Sequence, residues 1–120
     1  MKIPVYPAFG DNEKSDMIAD FNGKLQRIQV KSSEHVKDNK IIFSLVSSTT
    51  HRNNGTKHYY TKDEVDYFVL YNLETNLLLI VPIEDVEGRS EVSFKLEYKP
   101  STNQYKTLNW KDYTFDKIIK

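Results

Sequence analysis

The chain has 120 residues, enough for one domain with one modest core and too few for two ordinary ones. Hydrophobic residues make up 38% and charged residues 28%, a globular rather than disordered composition, and the lack of cysteine excludes a disulfide framework or a thiolate metal site. The 17 basic residues are balanced by 17 acidic ones, which argues against a strongly basic, dedicated DNA-binding domain and leaves room for a local basic patch.

The first segment, MKIPVYPAFG, has no continuous apolar stretch of the signal-peptide kind, and no run reaches the length of a membrane span. A soluble, cytoplasmic protein without a membrane partner is expected, and the cysteine-free composition suits a reducing compartment. Strand signals dominate from here on. Ile3 to Tyr6 is bounded by Pro4 and Pro7 and suits an edge or entry strand. Asp16 to Phe21 and Lys24 to Lys31 flank Asn22-Gly23, a dipeptide that favours a two-residue type I′ turn because both central positions need positive φ.

Ile41 to Val46 reads as the next strand, followed by a polar stretch from Ser47 to Lys62 read as loop. Thr61 and Glu64 have capping-box spacing for a short helical turn over Lys62 to Val65. Asp66 to Tyr71 and Leu77 to Val81 are almost continuously apolar, which predicts strands covered on both faces. Ile83 to Val86 offers one more short helical turn. Ser90 to Tyr98 alternates Val92, Phe94, Leu96 and Tyr98 with polar residues and reads as a further strand. The tail, residues 99–120, is polar, with Trp110, Tyr113 and Phe115 as its anchors. No long amphipathic helix is predicted, so one sheet face needs the tail or another chain as cover.

Counting outward from Asn22-Gly23 pairs Phe21 with Lys24, Ala19 with Gln26, Met17 with Ile28 and Asp16 with Gln29. Directly opposed residues share a face with Cβ atoms about 5 Å apart, and Lys31, two residues beyond Gln29, points the same way. A carboxylate, an amide and an ammonium thus gather on one face. Met17, Ala19, Phe21, Ile28 and Val30 form the other, core-facing side. A divalent cation of the Mg²⁺ type wants hard oxygens: Asp16, the Gln29 side-chain carbonyl and the Val30 main-chain carbonyl can supply them, with Lys31 beside them to stabilise charge on a phosphate.

The segment GDNEKSDMIADFNGKLQRIQVKSS resembles the core of the PD-(D/E)xK endonucleases of the group I intron-associated, homing type, which include members with Gln at the second acidic position. PAFGDN, YYTKDEVDYFVLYN, LLIVPIEDVEGRSEVSFKLEY and NQYKTLNWKDY fit the same pattern in order, so the resemblance covers nearly the whole chain. It implies a single domain over 1–120 of α+β (α/β-like) class, a restriction-endonuclease-like mixed sheet that is strand-rich and helix-poor. It also implies Asp16, Gln29 and Lys31 as the catalytic trio and Mg²⁺ or Mn²⁺ as cofactor. Family members begin with a helix carrying a glutamate that completes the site, and this chain starts after it; Ser15 stands where an aromatic residue is common.

Two functions follow. The first is metal-dependent hydrolysis of double-stranded DNA by a homo-oligomer, since cutting both strands calls for two copies. The second is an inactive nuclease-fold protein of a phage or mobile element that binds and inhibits a host protein such as a defence nuclease. For DNA contact, the stretch from His51 to Tyr60 offers Arg52, Asn53, Lys57, His58 and Tyr59, a mix suited to phosphates and groove edges. His35, His51 and His58 read as isolated surface histidines. Asp63, Glu64 and Asp66 read as turn and loop charges, with a carboxylate that reaches the site as the alternative.

Overall fold

The structure, a computed structural model, describes residues 5–7, 17–49, 56–97 and 107–119. Val5–Pro7 (β1) pairs antiparallel with Met17–Phe21 (β2), which turns through Asn22 and Gly23 into Lys24–Ser33 (β3). Both turn residues have positive φ, 58° and 90°, as a type I′ turn requires. The Asp20 carboxylate accepts the Gly23 N–H at 2.7 Å and closes the turn from below. Tyr67–Asn72 (β7) lies parallel to β3, and Leu77–Pro82 (β8) returns antiparallel to it, giving a mixed sheet ordered β1-β2-β3-β7-β8.

Between β3 and β7 the chain runs over one face of this sheet. Asp38 and Asn39, both at positive φ, reverse it into Lys40–Ser44 (β4). In β4, Ile41 and Phe43 point inward while Lys40, Ile42 and Ser44 point outward. Glu91–Lys95 (β9) pairs antiparallel with β4 and presents Val92 and Phe94 to the same interior; Thr107–Asn109 (β10) joins β9 in parallel. Here the structure differs from the expected single strand Ile41 to Val46. The chain changes partners at Leu45, whose N–H bonds to the Ser90 carbonyl, and Val46–Thr49 (β5) then pairs with Thr56–Tyr59 (β6). This two-stranded ribbon lies inside the stretch expected to be loop. Its Val, Thr and Tyr residues favour strands, but the segments lack the apolar alternation that marks a half-buried strand.

Two cores result. The larger fills the space between the sheets, with Phe68, Leu70, Leu79 and Val81 from β7 and β8 against Ile41, Phe43, Val92 and Phe94. Phe43 and Phe94 meet edge to face at a centroid distance of 6.0 Å. The smaller core lies on the other side of the main sheet, where Ala19, Phe21, Ile28 and Ile80 meet Ile119, with Met17, Val30, Val69 and Phe115 packed on them. Its cover is the short helix Phe115–Ile118 (α1). The tail therefore supplies the cover expected from the tail or another chain. It crosses the open edge of β8, where the Ile80 N–H bonds to the Tyr113 carbonyl at 2.8 Å, so Tyr113 packs on one core and Phe115 on the other. Ile83–Asp85 forms the short turn expected there, as a 3₁₀ helix. Among the described residues no helix is long and apolar enough to cross a membrane.

Candidate active site

The β2–β3 register runs from Phe21 opposite Lys24 to Met17 opposite Ile28, as the turn count requires. Ile28 and Val30 belong to the smaller core, so by strand alternation Gln29 and Lys31 point to the opposite side, the one crossed by β4 to β6. Gln29 is only 8% exposed there. Asp16, one residue before Met17, lies outside the described residues, as do Arg52 and Asn53. The alternation of hydrogen bonding along a strand also fixes the main-chain groups. Asp66 N–H bonds to the Arg27 carbonyl and Leu73 N–H to the Ser33 carbonyl, so the odd-numbered peptide groups of β3 face β7 and the Val30 carbonyl faces the β2 side.

Lys31 is held by groups that arrive from the ribbon. Its Nζ donates to the Val46 carbonyl at 3.2 Å and sits 5.5 Å from the centroid of the Tyr60 ring. Tyr60 is 7% exposed and packs edge to face on Phe68 at 5.8 Å. His58, two residues earlier and so on the same side of the strand, meets the Tyr60 ring at 5.2 Å with perpendicular planes. Of the adjacent tyrosines, Tyr60 turns inward and Tyr59 stays exposed. Lys57 contributes its backbone to β6 opposite Ser48. The sequence pattern missed the part of Tyr60 in the site. Its signal was the two-residue spacing from His58, hidden because the segment was read as loop.

His58 is not an isolated surface histidine. Its Nε2 lies 2.7 Å from Glu64 Oε2, in a pair whose side chains are 37% and 18% exposed. The other oxygen of Glu64 accepts from the Thr61 N–H at 3.1 Å, and Thr61 Oγ1 accepts from the Asp63 N–H at 3.3 Å. The Glu64 half of the predicted capping box is present, while Thr61 Oγ1 bonds one residue short of Glu64, and the turn does not continue as helix. Asp66 faces the other way. Its carboxylate accepts from Arg27 N at 2.7 Å, Arg27 Nε at 3.2 Å and Arg27 Nη2 at 3.0 Å. Arg27 also donates to the carbonyls of Lys62 and Asp63. Burial pushes the Asp66 carboxyl up, but the hydrogen bonds from the Arg27 side chain and backbone outweigh it and hold the group below the usual carboxylate range. The same pairing raises the Arg27 guanidinium, against a smaller opposing effect of burial.

For a metal, the described residues offer the Gln29 amide oxygen and the Val30 carbonyl, hard neutral donors of the kind Mg²⁺ and Mn²⁺ accept. Among the described residues no three His, Cys, Asp or Glu side chains converge into a metal-holding group; Asp16 is the carboxylate that the sequence offers beside Gln29.

The fold has a counterpart among solved structures. The structure is similar to that of a bacterial homing endonuclease, I-Ssp6803I, with a TM-score of 0.65 at 24% identity, over 92% of this chain and 74% of that one. No curated relative matches the chain. A family model described as PD-(D/E)XK endonuclease matches residues 2–116. The strand-rich mixed sheet is thus a version of a known scaffold, and the chain belongs to the PD-(D/E)XK endonuclease family.

Proposed function

We propose that the protein is a metal-dependent endonuclease that hydrolyses phosphodiester bonds in double-stranded DNA, with Asp16, Gln29 and Lys31 as its catalytic trio. Membership of the endonuclease family supports the nuclease class. The observation that carries the assignment of residues is the β2–β3 register, which sets Gln29 and Lys31 on the face away from Ile28 and Val30. Asp16 would supply a carboxylate, Gln29 its amide oxygen and Val30 its carbonyl to hold Mg²⁺ or Mn²⁺. When bound, that ion supplies Lewis-acid activation of the phosphate and of water. Lys31 presents a fixed positive charge to the non-bridging oxygens as negative charge builds in the transition state. The β5–β6 ribbon with Arg52, Asn53, Lys57, His58 and Tyr59 is the DNA-contacting arm, and a two-fold dimer cuts both strands. No observation favours the inhibitor function.

Incubation of the purified protein with supercoiled plasmid and Mg²⁺ or Mn²⁺ tests this. Nicked and linear products are expected, with a loss of about 100-fold or more in Lys31→Ala, comparable to removing one transition-state donor. Gln29→Ala should demand more metal for the same rate. A folded wild type that leaves DNA intact with both metals, or a Lys31→Ala protein as active as wild type, overturns the proposal.

A further inference from the structure

We infer that Tyr60 is a positioning residue for the Lys31 ammonium, and that the His58–Glu64 pair holds the Tyr60 ring in place for that task. The inference rests on the role proposed above for Lys31. It starts from four contacts in series. Lys31 Nζ lies 5.5 Å from the Tyr60 centroid and 3.2 Å from the Val46 carbonyl. His58 meets Tyr60 edge to face at 5.2 Å, Glu64 fixes the His58 ring at 2.7 Å, and Thr61 N–H fixes Glu64 at 3.1 Å.

A lysine has four rotatable bonds and a compact, hydrated charge, so its head group wanders unless something limits it. The two groups named here limit it in complementary ways. The Val46 carbonyl accepts one N–H and sets a direction, whereas the face of an aromatic ring attracts the cation through its quadrupole and sets a distance without taking a proton. Tyr60 suits the second task because it is buried and wedged between Phe68 and His58, which fixes its plane. The ribbon that carries Val46, His58 and Tyr60 thus acts on the chemistry of β3 from outside the catalytic hairpin.

The test compares Tyr60→Phe, which keeps the ring, with Tyr60→Leu, which keeps an apolar filling and loses the π face. Two readouts are followed: the ordering of the Lys31 side chain, from NMR relaxation at its Cε–Nζ end, and the split of kcat from KM on plasmid DNA. Tyr60→Leu is expected to increase the motion of the Lys31 Nζ end and to cut kcat about 3- to 30-fold at unchanged KM. Tyr60→Phe should leave both near wild type. His58→Gln, which keeps a donor for Glu64, should fall between them in the ordering of Lys31. Unchanged ordering of Lys31 in a folded Tyr60→Leu protein overturns the inference, whether or not the wild type cuts DNA. Loss of that ordering in Tyr60→Leu, beside a wild type without nuclease activity, keeps the positioning role and sinks the catalytic one.

Discussion

Replacing Asp66 tests how the site's supporting turn is fastened. The carboxylate takes three hydrogen bonds from Arg27, one of them from the Arg27 main-chain N–H at 2.7 Å. In Asp66→Ala that N–H loses its acceptor inside the sheet, at a cost of about 1–3 kcal/mol. The ion pair itself is partly exposed, at 38% and 30%, so after solvent screening its loss adds no more than about 1 kcal/mol. Asp66→Ala should therefore destabilise by about 1–4 kcal/mol. Asp66→Asn keeps an acceptor for the N–H and should cost about 1 kcal/mol, the share of the ion pair. Urea unfolding at pH 7 reads both as lower midpoints at unchanged slope. Equal losses in the two variants would refute the view that the main-chain hydrogen bond dominates.

The pH dependence follows with a definite sign. Asp66 has a depressed folded pKa, so on acidification the unfolded chain takes up the proton first, and stability falls as pH drops from the unfolded value near 4 through the folded one. Above about pH 5 the gap between wild type and Asp66→Asn should stay constant; below it the gap should close.

Two more outcomes are expected. Gly23 has a φ of +90° and open space where a Cβ would stand, so Gly23→Ala should cost about 1–2 kcal/mol from backbone strain alone, measurable by urea unfolding with the sheet's circular dichroism unchanged. Burial, then the hydrogen bond to Asp85 at 3.0 Å, pushes the Tyr113 hydroxyl up to about 12. Its stabilising share is complete below the unfolded value of about 10 and lost as pH climbs through the folded one, so Tyr113→Phe should flatten the alkaline loss of stability between those limits, and tyrosinate absorbance should show one fewer late-titrating group.

What the sequence disclosed depended on range. The β2–β3 hairpin was legible because Asn22-Gly23 dictates its own geometry and every later pair is a count from it. The two-sided burial of β7 and β8 was legible from their unbroken apolar runs. The partner change at Leu45 was not, since nothing in Phe43-Ser44-Leu45-Val46 says that one strand ends and another begins; the Ser90 carbonyl, 45 positions away, decides it. The β5–β6 ribbon was missed for a related reason: pairing between polar strands leaves no trace in hydropathy. A count along β3 puts Gln29 and Lys31 on one face, but Tyr60 and the Val46 carbonyl reach Lys31 from across the ribbon, which is why these contacts stayed hidden in the sequence.

The turn from Thr61 to Asp66 shows how little a linear count of charges says about where those charges point. Read in one dimension, Asp63, Glu64 and Asp66 are a negative cluster that should repel a phosphate backbone. In the fold, Glu64 points to His58 and Asp66 to Arg27, on opposite sides of a single turn, while the Asp63 carbonyl takes a further Arg27 donor. Two of the three carboxylates are therefore committed to neighbours, and the commitments do structural work at both ends: one fastens the turn to β3, the other steadies the ring beneath Lys31. Under the proposed function, a charge balance of zero does not count against DNA contact on its own, because a carboxylate held by Arg27 or turned inward onto His58 projects little field toward a ligand.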